Sequence, residues 1–211
     1  MTDVKICGLR DPAHVALAAE AGARYVGFVF FPRSPRAVTP ADAAALSLHV
    51  PVGVARVGLF VDPADALLDE VLAAVPLDIV QLHGHEDPAR VAAVKARTGL
   101  PVMKAVGIAG PGDLGQLTDY ALVADLLLVD AKPAPGAALP GGNGLAFDWR
   151  LLQGRRWLRP WLLAGGLTAD NVAEAVRLTR APGVDVSSGV ETAPGVKDKA
   201  LIRSFIAAAQ V

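Results

Sequence analysis

Val4-Lys5-Ile6-Cys7-Gly8-Leu9-Arg10 is a short apolar run that ends on the chain's one cysteine and turns at once. Read as a first strand, it decides the fold by what does not follow it. No Gly-x-Gly-x-x-Gly comes next, so the first turn of a dinucleotide-binding doubly wound sheet is missing. Instead, similar runs recur at Tyr25–Phe30, Val54–Phe60, Asp78–Leu82, Pro101–Val106, Leu126–Asp130, Trp161–Ala164 and Val184–Ser187, eight in all and mostly about 20 to 30 residues apart. Several are continuously apolar, as strands covered on both faces are.

Helix signals fall between these runs. Asp11-Pro12, Thr39-Pro40, Asp62-Pro63 and Asp87-Pro88 each place an N-cap residue before a proline at the first helical position. The cap oxygen accepts a free backbone N–H, and proline has none to orphan. Gly22 suits a left-handed helix stop. Leu201, Ile202, Phe205 and Ile206 form an apolar stripe on a final helix. Eight strand–helix units in 211 residues predict one domain over residues 1–211, an α/β single-domain (β/α)8 TIM barrel. The sixth unit is irregular: a Pro/Gly-rich loop, Lys132–Leu145, precedes a short helix from about Phe147. Long loops of this kind often serve active sites.

Composition narrows the function. With 53% hydrophobic but only 5% aromatic residues, the core is expected to be Val, Leu, Ile and Ala. A net charge of −1 argues against a polybasic surface for nucleic acid or membrane. One cysteine cannot close an internal disulfide, so a reducing compartment is acceptable. The N-terminus shows no signal-peptide pattern, and no apolar run approaches the roughly 20 residues of a membrane span. A cytoplasmic protein is expected.

In a barrel, the strand C-termini and the loops after them form the active face. Strand one presents Cys7, strand four leads through Gln81 to His83 and His85, and strand six ends on Asp130. The loop after strand two carries Arg33 and Arg36. Gly165-Gly166 after strand seven, and Asp185 with Ser187-Ser188-Gly189 after strand eight, can offer bare N–H groups to a phosphate, which barrels commonly hold there.

Each group also has a plainer reading. Cys7 is either a small buried hydrophobe or a base, the latter if nearby positive charge lowers its pKa. Asp130 is either a buried acid able to donate a proton or the partner of Lys132. Arg36 is either a carboxylate clamp or a solvated cation. The glycines are either a phosphate cradle or tight turns. His83 and His85 lack evident third and fourth partners, so no metal is expected.

Taken together, several motifs in order resemble one family. They are Lys5-Ile6-Cys7-Gly8, Val26–Phe30, Ser34-Pro35-Arg36, Val80-Gln81-Leu82-His83-Gly84, Gly141-Gly142-Asn143-Gly144 with Phe147-Asp148-Trp149, Leu163–Leu167 with Asn171-Val172, and Val184–Glu191. The chain is similar over nearly its whole length to the phosphoribosylanthranilate isomerases. That resemblance implies a cofactor-independent Amadori rearrangement of a small phosphorylated substrate in tryptophan biosynthesis. Carried over by position, Asp130 is the general acid, Cys7 the general base and Arg36 the clamp on the anthranilate carboxylate. Gly165, Gly166, Ser187, Ser188 and Gly189 match the phosphate grip, and Gln81, His83 and Asp185 are further substrate-binding positions. Asn143 and Ala131 depart from the family's usual hydroxyl residues. A barrel of this size is expected as a monomer or weak homodimer. Competing expectations are a decarboxylating indole-glycerol-phosphate synthase, which needs lysine and glutamate at strand ends, and a non-catalytic barrel that binds a phosphometabolite.

Overall fold

The computed structural model describes residues 1–133, 136, 139, 141–142 and 144–210. Eight parallel strands close into a barrel in chain order: β1 (Asp3–Cys7), β2 (Tyr25–Val29), β3 (Ala55–Phe60), β4 (Ile79–Leu82), β5 (Val102–Ile108), β6 (Leu126–Ala131), β7 (Trp161–Leu163) and β8 (Gly183–Val186). Closure comes from β1 pairing with both β2 and β8. Helices α1 (Pro12–Glu20), α2 (Pro40–Ser47), α3 (Asp65–Ala74), α4 (Pro88–Thr98) and α5 (Leu114–Ala121) follow the first five strands. Helix α6 (Val172–Thr179) follows β7, and α7 (Lys199–Ala209) ends the chain. Among the described residues, no helix is long and apolar enough to cross a membrane.

Period-two alternation sorts the strand side chains. Val4, Ile6, Val26 and Phe28 face outward into the main core beneath the helices. Val57, Ile79, Met103, Leu128 and Leu162 fill the barrel interior, and Cys7, Val29 and Leu59 form a small apolar group nearer the strand C-termini. Each such side chain contributes roughly 1.5–3 kcal/mol by leaving water. Trp161 is buried, with Trp157 stacked on it at 4.0 Å, so this pair serves the core.

Two sequence expectations change and one element is added. Asp11, Thr39 and Asp87 cap their helices as expected, through the N–H groups of Ala13, Asp42 and Arg90. Asp62 does not: α3 starts only at Asp65, and Asp62 sits at φ 46° with its carboxylate on the His85 N–H at 2.6 Å. The sixth unit has a 3-10 turn, Trp149–Leu152, in place of an α-helix. That turn is four residues long, buries only Leu152, and is followed by Gly154 in the left-handed region. Finally, a hairpin of β9 (Glu191–Ala193) and β10 (Val196–Lys197) lies between β8 and α7. Pro194-Gly195, with Gly195 at φ 81°, is the turn signal that makes it.

Candidate active site

The strand C-termini surround a cavity that opens to solvent. Cys7, Arg36, His83, Asp130, Gly165, Gly166, Asp185, Ser187, Ser188 and Gly189 all line it. So do Gly141, Gly142 and Gly144 of the loop after β6. Asn143 lies outside the described residues.

Cys7 is the last residue of β1 and 4% exposed. Two positions below it on the same face is Lys5, wholly buried, with Nζ donating to Asp185 Oδ1 at 2.7 Å. Burial is the largest influence on the thiol and pushes its pKa up; Lys5 and Lys197 pull it down and Asp185 pushes up. The net shift is upward, because burial outweighs the cations, so the lowered pKa that the sequence set as a condition for a base is not found. For Lys5, burial opposes the charge, but Asp185 and Cys7 outweigh it and hold the ammonium above the usual lysine value.

Asp130 ends the greasy stretch of β6 and is 7% exposed. Its Oδ1 accepts the Ala131 N–H at 2.8 Å, so the backbone supplies a bond at a position where the side chain has no hydroxyl. Its Oδ2 lies 3.2 Å from His83 Nε2. His83 Nδ1 in turn meets Gln81 Nε2 at 2.9 Å. With the Gln81 amide donating, Nε2 of His83 carries the proton toward Asp130. Gln81 is wholly buried and does not line the cavity, so it reaches the site through His83. Lys132, the alternative partner for Asp130, turns away onto Asp113 at 2.7 Å. A Cβ on Gly141 would lie 2.6 Å from His83 Nε2 and 3.0 Å from Asp130 Oδ2, so only glycine lets this loop lie over the pair.

Arg36 is buried, its stem against Gly8 and its guanidinium against Glu191 of the β9–β10 hairpin. Its Nε and Nη2 each donate to a Glu191 carboxylate oxygen at 2.8 Å, and Nη2 also meets the Gly142 carbonyl at 3.3 Å. The bidentate edge is therefore held by the protein, and the Nη1 side remains toward the Gly142 loop and cavity. Glu191 also accepts from Lys197 Nζ at 2.7 Å, which donates to the Ser187 carbonyl at 2.9 Å. Burial works against the Glu191 charge, but the Arg36 and Lys197 partners prevail and hold its pKa below the usual glutamate value. Burial dominates at Lys197 and draws it below the usual lysine value. Glu191 and Lys197 had no role in the sequence reading. Their pairing depends on the register of a hairpin whose only sequence signal is Pro194-Gly195.

At β7 and β8 the backbone is shaped for close approach. Gly166 sits at φ 63°, and a Cβ there would come within 2.9 Å of Leu145 and Ala146 backbone. A Cβ on Gly189 would overlap the Leu167 carbonyl. Among the described residues, none supplies an acceptor to the N–H groups of Gly166, Ser188 and Gly189. Such unpaired donors beside a cavity suit an anion. The Ser187 hydroxyl is used within the protein, donating to the Cys7 carbonyl at 3.2 Å. The two histidines after β4 part: His83 faces Asp130, while His85 is exposed beside Asp62.

The comparisons agree with this geometry. The family model for N-(5'-phosphoribosyl)anthranilate (PRA) isomerase matches residues 4–208. The N-(5'-phosphoribosyl)anthranilate isomerase of Paracoccus denitrificans is 74% identical over 206 residues, covering 98% of this chain and 96% of that protein. The crystal structure of phosphoribosyl anthranilate isomerase from Thermotoga maritima superposes with a TM-score of 0.89 at 37% identity, covering 100% of this chain and 99% of that one. A further phosphoribosyl anthranilate isomerase structure, in complex with reduced 1-(o-carboxyphenylamino)-1-deoxyribulose 5-phosphate, gives 0.84 at 36% identity, with 100% and 99% covered. A closed eight-stranded barrel, this set of side chains on one face and relatives this similar over the whole length lead to one assignment: the chain belongs to the N-(5'-phosphoribosyl)anthranilate isomerase family.

Proposed function

We propose that this chain converts N-(5-phosphoribosyl)anthranilate into 1-(2-carboxyphenylamino)-1-deoxyribulose 5-phosphate, a step of tryptophan biosynthesis, without a cofactor. The observation that carries the reading is that Cys7, Asp130, Arg36 and N–H groups after β7 and β8 that have no acceptor among the described residues line one cavity. These are a base, an acid, an N–H donor for a carboxylate and an anion cradle. The phosphate rests on Gly166, Ser188 and Gly189, and the anthranilate carboxylate meets the free side of Arg36. Holding both ends fixes the reacting carbons between acid and base.

Asp130 donates its proton to the furanose ring oxygen. The bond from C1′ to that oxygen breaks as the nitrogen lone pair forms the C1′=N bond of the protonated Schiff base. Cys7, as thiolate, takes the C2′ proton, and the released electron pair forms C1′=C2′ while neutralising the nitrogen. The resulting enolamine tautomerises to the ketone by taking a proton at C1′ and losing one from the C2′ hydroxyl. No atom is gained or lost, and the first two proton transfers each use a side chain on the cavity wall, the tautomerisation exchanging its protons with solvent. His83 holds the second oxygen of Asp130, and the Gln81 amide sets the ring's tautomer.

A decarboxylating synthase would need a lysine at the reacting face. Lys104 is instead tied to Glu86 at 2.6 Å, and Lys5 lies beneath Cys7. We read the protein as cytoplasmic and as a monomer or weak homodimer.

The test is turnover of freshly made phosphoribosylanthranilate, followed by loss of its fluorescence. Wild type is expected to turn over, with Cys7→Ser and Asp130→Asn each slower by about 10²–10⁴-fold. A folded wild-type protein that binds the reduced product analogue without turnover would support a binding barrel instead. Turnover that survives both substitutions would remove the assigned roles.

A further inference from the structure

Lys5 is among the largest wholly buried side chains of the molecule, and the proton transfers above make no use of it. A buried ammonium is costly unless paired, and a pair offers little net stability over apolar residues of the same size. Its place is specific. Lys5 and Cys7 share the inward face of β1, and the register sets Lys5 against Asp185 of β8. Opposite them on β2 stands Gly27. A Cβ there would lie 3.0 Å from the Cys7 sulfur and 3.3 Å from Lys5 Nζ, so the missing side chain leaves the thiol and the ammonium a common space. The ammonium's charge favours the ionised sulfur, while its hydrogen bond goes to Asp185.

We propose that Lys5, held in the barrel interior by Asp185, is the resident countercharge of the Cys7 thiolate and so a positioning residue for the base. This deepens the reading of Cys7 as the base and rests on it for its catalytic meaning. Asp185 has two effects: it keeps Lys5 in place, and its own negative charge restrains ionisation of the thiol. The other charged groups that face Cys7 are Lys197 of β10 and Arg36 of the loop after β2, both already bound to Glu191. β2 brings no charge, because its facing residue is Gly27. Asp130 and His83, on the β4 and β6 side of the cavity, are paired with each other. Lys5 is therefore the one of these cations whose carboxylate partner also bears directly on the sulfur.

Because the chain has one cysteine, thiol chemistry reports on this site alone. The experiment is the rate of iodoacetamide alkylation of the folded protein near pH 8, read by mass, with thiolate absorbance as a second measure. An opposite charge at this range moves a pKa by about one to three units, which is a ten- to thousandfold change in thiolate. Lys5→Met is expected to slow alkylation by at least about tenfold. Asp185→Asn, which removes the restraint and leaves the ammonium uncompensated, is expected to speed it by a similar factor. Opposite signs are the signature, since mere loosening of the barrel would speed both. If Lys5→Met does not fold, Lys5→Met/Asp185→Asn removes the ammonium without stranding a carboxylate and should be at least about tenfold slower than Asp185→Asn. Rates that move together, or do not move, overturn the proposal. Turnover of Cys7→Ala separates the two readings: if it persists, Cys7 is not the base, while the alkylation series still decides whether Lys5 is its countercharge.

Discussion

The two sides of the cavity hold their reactive groups by different means. On the β1 and β8 side, Cys7 stands in a lattice of buried charge: Lys5 with Asp185, and Arg36 and Lys197 with Glu191. On the β4 and β6 side, Asp130 ends a chain of hydrogen bonds from Gln81 through His83, with Lys132 turned away. The difference follows from the tasks proposed. A thiolate base in an apolar setting needs fixed positive charge nearby. An acid that must carry a proton is better served by an oriented hydrogen-bond partner than by a fixed cation. The contrast teaches that one barrel face can give a thiol and a carboxyl group different surroundings by distributing lysine and arginine unevenly around it.

The largest expected effect tests whether the charge lattice holds the first side together. Glu191→Gln leaves Arg36 and Lys197 as buried cations without their carboxylate, which should cost about 3–5 kcal/mol in urea unfolding and raise KM more than it lowers kcat. A change within about 0.5 kcal/mol would show that the lattice is not needed for stability.

The pH profile separates the sides next. The base must be deprotonated to act, and the Cys7 pKa stands above the ordinary thiol value. The value of kcat/KM should therefore climb about tenfold per pH unit, or about 100-fold from pH 6 to pH 8. That limb should survive in Asp130→Asn and vanish in Cys7→Ala. A flat profile in the wild type would remove the thiolate from the rate.

The hydrogen-bond side should respond more gently. Gln81→Leu leaves His83 free to take the wrong tautomer, and kcat should drop by roughly tenfold with little change in stability. A loss as large as that of Asp130→Asn would mean that Gln81 does more than orient the ring.

The smallest effect is in acid stability. The Glu191 pKa is depressed in the folded chain. Its contribution is therefore complete above the unfolded value of about 4.3 and is lost as the pH falls through the folded value. Melting curves from pH 6 to pH 3 should fall more steeply for wild type than for Glu191→Gln. Parallel curves would show that other carboxylates set the acid limit.

Much of this was legible in the chain. The eight apolar runs appear as strands within two residues of where they were expected, because continuous burial on both faces imposes a local pattern. Asp130 stood out as an acid at the end of Leu126-Leu127-Leu128-Val129. The Asp62-Pro63 signal was misleading because a cap is decided by competition. The Asp62 carboxylate found the His85 N–H, a residue 23 positions away, and α3 began without it. Glu191 and Lys197 were equally out of reach, since nothing local says that one will meet Arg36 and the other Ser187.

By itself, then, the sequence determined the barrel, the order of its units and most of the residues that line the cavity at its strand C-termini. Those properties follow from periodicity, caps and turns acting over a few residues. Only the tertiary structure decided which charges are paired and which side of Arg36 remains for a substrate. It also decided that the Cys7 thiol is raised rather than lowered. Pairing and burial depend on partners brought together across the closed barrel, such as Lys5 and Asp185, 180 residues apart in the chain and 2.7 Å apart in the fold.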